Sequence, residues 1–335
     1  MESLTGLFPE EIVEALHLEP SFRGGQIFSW IHQGAGSFDD MTNLPRNLRE
    51  ELGKKAPLYS TRLESRHPDP DGTVKLRIRT ADGLTVEAVI LKDRDDRLTA
   101  CLSTQAGCGM GCRFCRTGEM GLKRNLTAGE MVEQFLWMER ESGEISNIVF
   151  MGMGEPLANY EAFVKAVKIL SYPKGRDMGI RRMTVSTCGL VPEIQRLGQE
   201  GPPLRLAISL NSARQAVRGT IMPIARKYPL KELKEALMAY QERQPKRITL
   251  EYVLLKGIND GKNDLEALIG WSEGLKAVVN LIPWNPVETL GFETAPEETT
   301  RWFQARLEAS GLPVTRRYRR GRGVNGACGQ LGDLG

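Results

Sequence analysis

Three cysteines fall within eight residues, Cys108, Cys112 and Cys115 in the stretch CGMGCRFC, and the chain's three histidines, His17, His32 and His67, all lie far from them. Thiolates spaced C-x3-C-x2-C suit metal or redox chemistry better than a disulfide framework, because six cysteines in 335 residues are too few to staple a fold. The question is what takes three sulfurs and not four. A structural zinc ion closes its tetrahedron with four ligands, and Cys101 or Cys188 could supply the fourth. A cubane iron–sulfur cluster also usually takes four cysteines, so three would leave one iron open, which is what a catalytic cluster needs. On residue types alone both readings stand. Near the end of the chain RRYRRGR, Arg316 to Arg322, packs five arginines and Tyr318 into seven residues, just before Cys328 in GACGQL. Guanidinium forks suit phosphates and a tyrosine can stack on a base, although a solvated tail would have the same composition.

These groups need a scaffold. A chain of 335 residues with 41% hydrophobic and 26% charged residues fits one large α/β core with an accessory piece. No apolar run approaches the length of a membrane span, and MESLTGLFPEE lacks the pattern of a secretion signal, so a cytoplasmic location is expected. A net charge of +3 means that any nucleic-acid partner must be held by local patches. Residues 1–57 read as short helices (PEEIVEALHL, RGGQIFSWIHQ, NLPRNLREELGKK), and the basic Arg46, Arg49, Lys54 and Lys55 suit either a backbone contact or a solvated face. Residues 58–97 read as an antiparallel β extension, with VKLRIRT and LTVEAVIL as strands set off by the turn signals PDPDG and ADG. From residue 98 to 335, strand and helix patterns alternate. LTACLS, NIVFM, RMTVS, LRLAISL, ITLEYVLL and VVNLIP predict six strands, and TAGEMVEQFLWMER opens with a capping box, Thr127 to Glu130.

Six β/α units imply a parallel sheet, either doubly wound or a partial barrel, with its site past the strand ends. There the sequence places the cysteine triplet, GMGEP (152–156), STCG (186–189), NSA (211–213) and PWNP (283–286).

With Phe114 before its last cysteine, on the loop after the first strand, the triplet resembles the signature of the radical S-adenosylmethionine (SAM) superfamily. With GMGEP, LIPWNP, GACGQL and Cys101 added, nearly the whole chain resembles the RlmN/Cfr-type RNA methyltransferases. The resemblance implies a partial (β/α)6 radical SAM barrel. It also implies a [4Fe-4S] cluster held by Cys108, Cys112 and Cys115, whose open iron takes the amino and carboxylate groups of SAM. Contacts to SAM would come from Gly154, Glu155, Ser186, Ser209, Leu210, Asn211 and Asn285. In the family's scheme Cys328 takes a methyl group from one SAM, and a second SAM yields the radical that activates it. The resulting methylene radical adds to an adenine, Glu87 removes the ring proton, and Cys101 resolves the adduct through a transient disulfide. The implied product is 2-methyladenosine in 23S rRNA and tRNA, with methylation at carbon 8 as the alternative. The implied partners are RNA and an electron donor such as flavodoxin or ferredoxin, and the implied state is a monomer.

Two of these roles have independent support. Carbon 2 of adenine is electron-poor and will not attack a methyl sulfonium directly, which motivates a radical route. In VEAVIL, strand alternation puts Glu87 on one face with Val89 and Leu91, so burial would raise its pKa, and the arginines would lower that of Cys328. Three positions depart from the family's pattern: Asn211 stands for a histidine, Cys188 for a serine, and no acidic residue shortly precedes Cys328.

Overall fold

The computed structural model describes residues 3–93, 95–317 and 320–332, without the side chain of Arg322. Tyr318 and Arg319, two of the seven residues of the predicted phosphate-and-stacking patch, lie outside the described residues.

The chain begins with three helices, α1 (Pro9–Leu16), α2 (Phe22–His32) and α3 (Arg46–Lys55). Three strands follow: β1 (Thr61–Pro68), β2 (Val74–Thr80) and β3 (Thr85–Lys92). Then come β4 (Leu98–Cys101), β5 (Gln105–Gly107), α4 (Arg116–Glu119), β6 (Leu122–Asn125), α5 (Ala128–Ser142) and β7 (Asn147–Phe150). The chain continues through α6 (Tyr160–Leu170), β8 (Met183–Thr187), α7 (Val191–Glu200), β9 (Arg205–Ser209), α8 (Gln215–Ile221) and α9 (Ile224–Lys227). It ends with α10 (Leu230–Arg243), β10 (Ile248–Leu254), α11 (Lys262–Ser272), β11 (Ala277–Pro283), α12 (Glu297–Ala309) and β12 (Val314–Arg316).

One ten-stranded sheet runs β1-β2-β3-β4-β7-β8-β9-β10-β11-β12. Its first four strands are antiparallel, and from β4 onward each neighbour is parallel. The parallel α/β core expected from the sequence is therefore present, and all six predicted strands are in place. β12 makes a seventh parallel strand. Only three residues long and followed by arginines, it gave no apolar alternation to read. Strands β5 and β6 form a separate hairpin that frames the cysteine loop.

The parallel strands bury alternate residues, so one face of each carries the core. Ile148, Phe150, Val185, Leu206, Ile208, Leu250, Tyr252, Val279 and Leu281 are all buried in one continuous core. Each such side chain contributes on the order of 1.5–3 kcal/mol. The α5 capping box forms as read, Glu130 N donating to Thr127 Oγ1 at 3.1 Å and Thr127 N to Glu130 Oε2 at 2.9 Å. One turn further, buried Glu133 accepts from Ser3 Oγ (2.6 Å), Thr5 Oγ1 (2.7 Å) and Ser60 N (2.9 Å), tying the N-terminal segment to the barrel. Among the described residues no helix is long and apolar enough to cross a membrane.

Candidate functional site

The cysteine loop turns on glycine. Gly107 sits at φ +75, and a Cβ there would lie 1.9 Å from the Gly121 carbonyl oxygen. That close approach of β5 to the segment entering β6 delivers Cys108 to the cavity beyond the strand ends. Cys115 N donates to Cys112 O at 3.1 Å, which curls the C-x2-C half back on itself. Phe114, Ile221, Met222, Leu255 and Trp284 pack as an apolar shell behind the loop. Trp284 Nε1 pins it through the Phe114 carbonyl at 3.0 Å.

Cys108, Cys112 and Cys115 line a cavity of about 160 Å³ together with Gly154, Glu155, Ser186, Cys188, Ser209, Asn211, Glu251, Asn285 and Cys328. Among the described residues no three thiol, imidazole or carboxylate groups are arranged to hold one metal ion. A single zinc would need its sulfurs at about 2.3 Å, whereas a cubane spreads them over a larger body. Cys101 does not line this cavity, and the Glu155 carboxylate is committed to the backbone. Cys188 and Cys328 reach the cavity from other segments, whereas Cys108, Cys112 and Cys115 come from one loop, a set that fits a three-cysteine cluster. Burial pushes the Cys108 thiol up to about 12 and raises those of Cys112 and Cys115. Bound iron would replace these protons outright.

Glycine is also required at 154, where φ is +98 and a Cβ would lie 2.5 Å from Gln105 Cβ. Glu155 N donates to Gln105 Oε1 (2.9 Å), and the Glu155 carboxylate accepts from Cys188 N (2.8 Å) and Leu157 N (3.1 Å). Burial raises its pKa, with these bonds opposing. Ser186 and Ser209, at the ends of β8 and β9, meet a carboxylate that sequence reasoning missed. Glu251 Oε2 on β10 accepts from Ser186 Oγ at 2.5 Å and from Ser209 Oγ at 3.4 Å. A buried charge within the otherwise apolar ITLEYVLL was the available signal.

Asn211 adopts φ +56, a conformation its side chain tolerates. Its Oδ1 accepts from Val253 N at 2.9 Å and its Nδ2 faces Met222 Sδ at 3.3 Å. Leu210 sends its side chain into the core, leaving only its backbone at the site, with its N–H donating to Glu251 O at 3.0 Å. Arg218, also missed, is fully buried behind these loops. It donates to Cys188 O (2.7 Å) and Leu210 O (3.0 Å), while its Nη1 has no partner.

A second cavity, about 320 Å³, is lined by Val89, Leu91, Cys101, Arg316, Arg317, Arg320, Asn285 and Cys328. Cys101 is paired in register with Val89, so β3 and β4 present them side by side. Cys328 and Asn285 line both cavities. Asn285 Nδ2 holds the Cys328 carbonyl at 3.1 Å. Arg317 faces both thiols from within. Its charge lowers the Cys328 pKa, as expected, but burial is the larger effect and the net shift is upward. Burial likewise drives Cys101 up to about 12. Arg316 is ion-paired with Glu297. Arg316 and Arg317 are thus held by the fold, not solvated in a free tail.

The Cys328 loop is clamped by acids from the β extension. Gly321 N donates to Asp71 Oδ2 (2.7 Å), Gly323 N to Asp69 Oδ2 (2.6 Å) and Gly332 N to Glu87 Oε2 (2.7 Å). Thr117 Oγ1 donates to Leu331 O at 2.6 Å and Arg116 N to Gly329 O at 2.8 Å. Glu87 is fully buried and ion-paired with Lys75 at 3.0 Å. The apolar setting expected for it is therefore half ionic, and the tail covers it. All six cysteines are free. In the N-terminal helices Arg46 pairs with Glu50 and Lys55 with Glu51, while Arg49 donates to Asp39 O.

Residues 102–269 match the radical SAM superfamily, and residues 13–58 match a ribosomal RNA large subunit methyltransferase N-terminal domain. A Treponema denticola protein named "Probable dual-specificity RNA methyltransferase RlmN" is 47% identical over 98% of this chain and 95% of its own. A Myxococcus xanthus protein, "Dual-specificity RNA methyltransferase RlmN 2", is 43% identical over 100% of this chain and 89% of its own. The crystal structure of a radical SAM methyltransferase from Sphaerobacter thermophilus superposes with a TM-score of 0.95 at 43% identity, covering 99% of both chains.

Proposed function

The chain belongs to the RlmN family of radical SAM RNA methyltransferases, and from that premise we propose that it methylates carbon 2 of adenosine in 23S rRNA and in tRNA through S-methylated Cys328. One observation carries the proposal: the Cys328 side of the tail walls two cavities at once, one with the triplet and one with Cys101.

In this reading Cys108, Cys112 and Cys115 hold the cluster, and Gly154, Glu155, Ser186, Ser209, Asn211 and Asn285 line the SAM cavity. Glu251 is added to them. A carboxylate held by two serine hydroxyls suits a cationic sulfonium cofactor. When bound, the cluster and SAM supply the one-electron chemistry that removes a hydrogen atom from an S-methyl group; an electron donor of the flavodoxin or ferredoxin type provides the electron.

The chain's own residues do the rest. Cys328 loses its proton, helped by Arg317 against the burial that opposes ionisation, and its thiolate accepts the methyl group of one SAM, which would leave as S-adenosylhomocysteine. The activated S-methyl carbon then bonds to the adenine ring. Glu87 takes the ring proton, once Gly332 has withdrawn from its carboxylate. Cys101, as a thiolate, attacks the sulfur of Cys328. A transient disulfide forms as the carbon–sulfur bond to the base breaks, its electron pair passing to the base carbon, which takes up a proton to become the methyl group. The odd electron of the adduct would return to the cluster.

The test is nucleoside mass spectrometry on rRNA and tRNA from a host lacking its own enzyme, with and without this gene. New 2-methyladenosine in both RNAs is expected. 8-methyladenosine would overturn the carbon assignment, and an unchanged nucleoside profile would overturn the reading altogether.

A further inference from the structure

At the end of the sheet away from the site, the heads of neighbouring strands carry cations. Arg181 and Arg182 close the turn that enters β8, Arg205 is the first residue of β9, and Lys246 and Arg247 immediately precede β10. The parallel register pairs Arg205 with Thr184 and Ala207 with Thr249, so Arg247 stands level with Arg205 on strands about 4.8 Å apart. Lys276, just before β11, joins the same rim. Its carbonyl accepts from Ile248 N at 2.9 Å, and Gln241 Nε2 donates to the carbonyls of Lys246 and Lys276 at 2.8 Å each.

None of these six cations is ion-paired among the described residues, although Arg176, Arg196 and Arg214 nearby in the sequence are. Five are exposed, and Lys246 is half-buried with its ammonium on the Pro203 carbonyl. Burial, then the charges of Arg181 and Arg205, lower the Lys246 pKa. An open groove of about 720 Å³ lies against Arg181, Arg182 and Lys246, with Asp177 as its acidic lining residue.

We infer that this rim binds the phosphate backbone of the RNA substrate, at a tract remote from the nucleotide being methylated. The inference rests on the RNA methyltransferase reading above. Like charges held together without counter-ions leave a local potential that an anion relieves. Four of the six are arginines, whose forks match phosphate oxygens. The groove lining lacks an aromatic side chain to stack or read a base, so the contact positions RNA without choosing sequence. An acidic electron-donor protein would also suit the charge. However, Arg247 lies six strand residues before Val253, which lines the cluster cavity, a separation of roughly 20 Å at about 3.3 Å per residue. A reductase docked on the rim would sit on the wrong side of the barrel, whereas a folded RNA can span both ends.

The test compares the cluster-reconstituted full chain with its R181Q/R182Q/R205Q/R247Q variant, using intact tRNA and a short anticodon hairpin. Removing four phosphate contacts should weaken tRNA binding about tenfold or more and flatten the slope of log K against log salt by roughly three. Methylation of the hairpin, too short to reach the rim, should be unchanged, and the four-lysine variant should keep most of the salt slope. Equal affinity and slope for both proteins would overturn the inference. So would loss of hairpin methylation at unchanged iron content, which would mean that the substitutions disturb the site itself. Normal tRNA binding, with activity lost on a flavodoxin system and retained on dithionite, would also overturn it and give the rim to the reductase. If the parent bound tRNA through the rim but methylated nothing, the function reading alone would fall.

Discussion

The two cavities that meet at Cys328 carry opposite charge. The one beside the cysteine triplet has two carboxylates, Glu155 and Glu251, and no lysine or arginine in its described lining. The other has Arg316, Arg317 and Arg320 against a single acid, Asp93. The difference matches what each would receive: a sulfonium cofactor on one side and a polyanion on the other. Cys328 lies where the two fields meet, so its thiol can be approached by either.

The largest effect should come from the acidic side. Cys112→Ala removes one of the three sulfurs of the 108–115 loop, so bound iron, visible absorbance and SAM cleavage should all be lost. Iron and sulfide analysis would check this, and a variant that kept a full cluster would show the donor set to be wrong.

Substitution at the joint should separate the two sides. Cys328→Ala should abolish RNA methylation while leaving the cluster and SAM cleavage in place; loss of iron would make Cys328 a ligand. Cys101→Ala should instead let methylation begin and stall, accumulating an RNA–protein adduct visible on denaturing gels. Clean turnover by that variant would remove Cys101 from the reaction.

Charge on each side can then be tuned. Glu251→Gln keeps the shape and loses the charge, and should weaken SAM binding by about 10- to 150-fold, the range for one charged hydrogen bond. Arg317→Gln acts on the other side. Burial already raises the Cys328 pKa and Arg317 opposes it, so removing the guanidinium raises the pKa further. The pH profile of Cys328 methylation should move to higher pH, with about a tenfold lower rate per pH unit of displacement below the new pKa. An unmoved profile would mean that Arg317 does not reach the thiol.

The smallest effect lies outside both cavities and serves as their control. Buried His32 has its pKa lowered to about 4 from 6.5, first by burial and then by the Arg176 charge. Its folded value is depressed, so its contribution is complete above about pH 6.5 and is lost as pH falls toward 4, by about 3 kcal/mol at most. His32→Phe should flatten that part of the pH–stability curve in denaturant titrations without changing SAM cleavage.

How much of this was legible depends on how far apart in the chain the partners lie. The six central strands and the α5 cap are local patterns and could be read directly. The triplet was legible because its chemistry is written in its spacing. Asp69 and Asp71 were read as a turn, PDPDG, because their partners Gly323 and Gly321 come some 250 residues later. Glu251 was passed over in an apolar strand, because its serine partners sit on two other strands. Arg218 carries no pattern of its own. Its role appears only when the loops after β8 and β9 converge on it.

The clamp on the Cys328 loop has a kinetic side. Its hydrogen bonds to Asp71, Asp69 and Glu87 close chain separations of 250, 254 and 245 residues, so they cannot precede the sheet they fasten. Contacts that form last, on a short terminal segment, are the first to let go, and that segment can release them while the barrel stays folded. The amides of Gly321, Gly323 and Gly332 should therefore exchange with solvent deuterium well before those of β8 to β10. Each such opening uncovers Glu87 and frees the segment bearing Cys328, so the breathing of the tail sets how often the thiol can trade one neighbour for another.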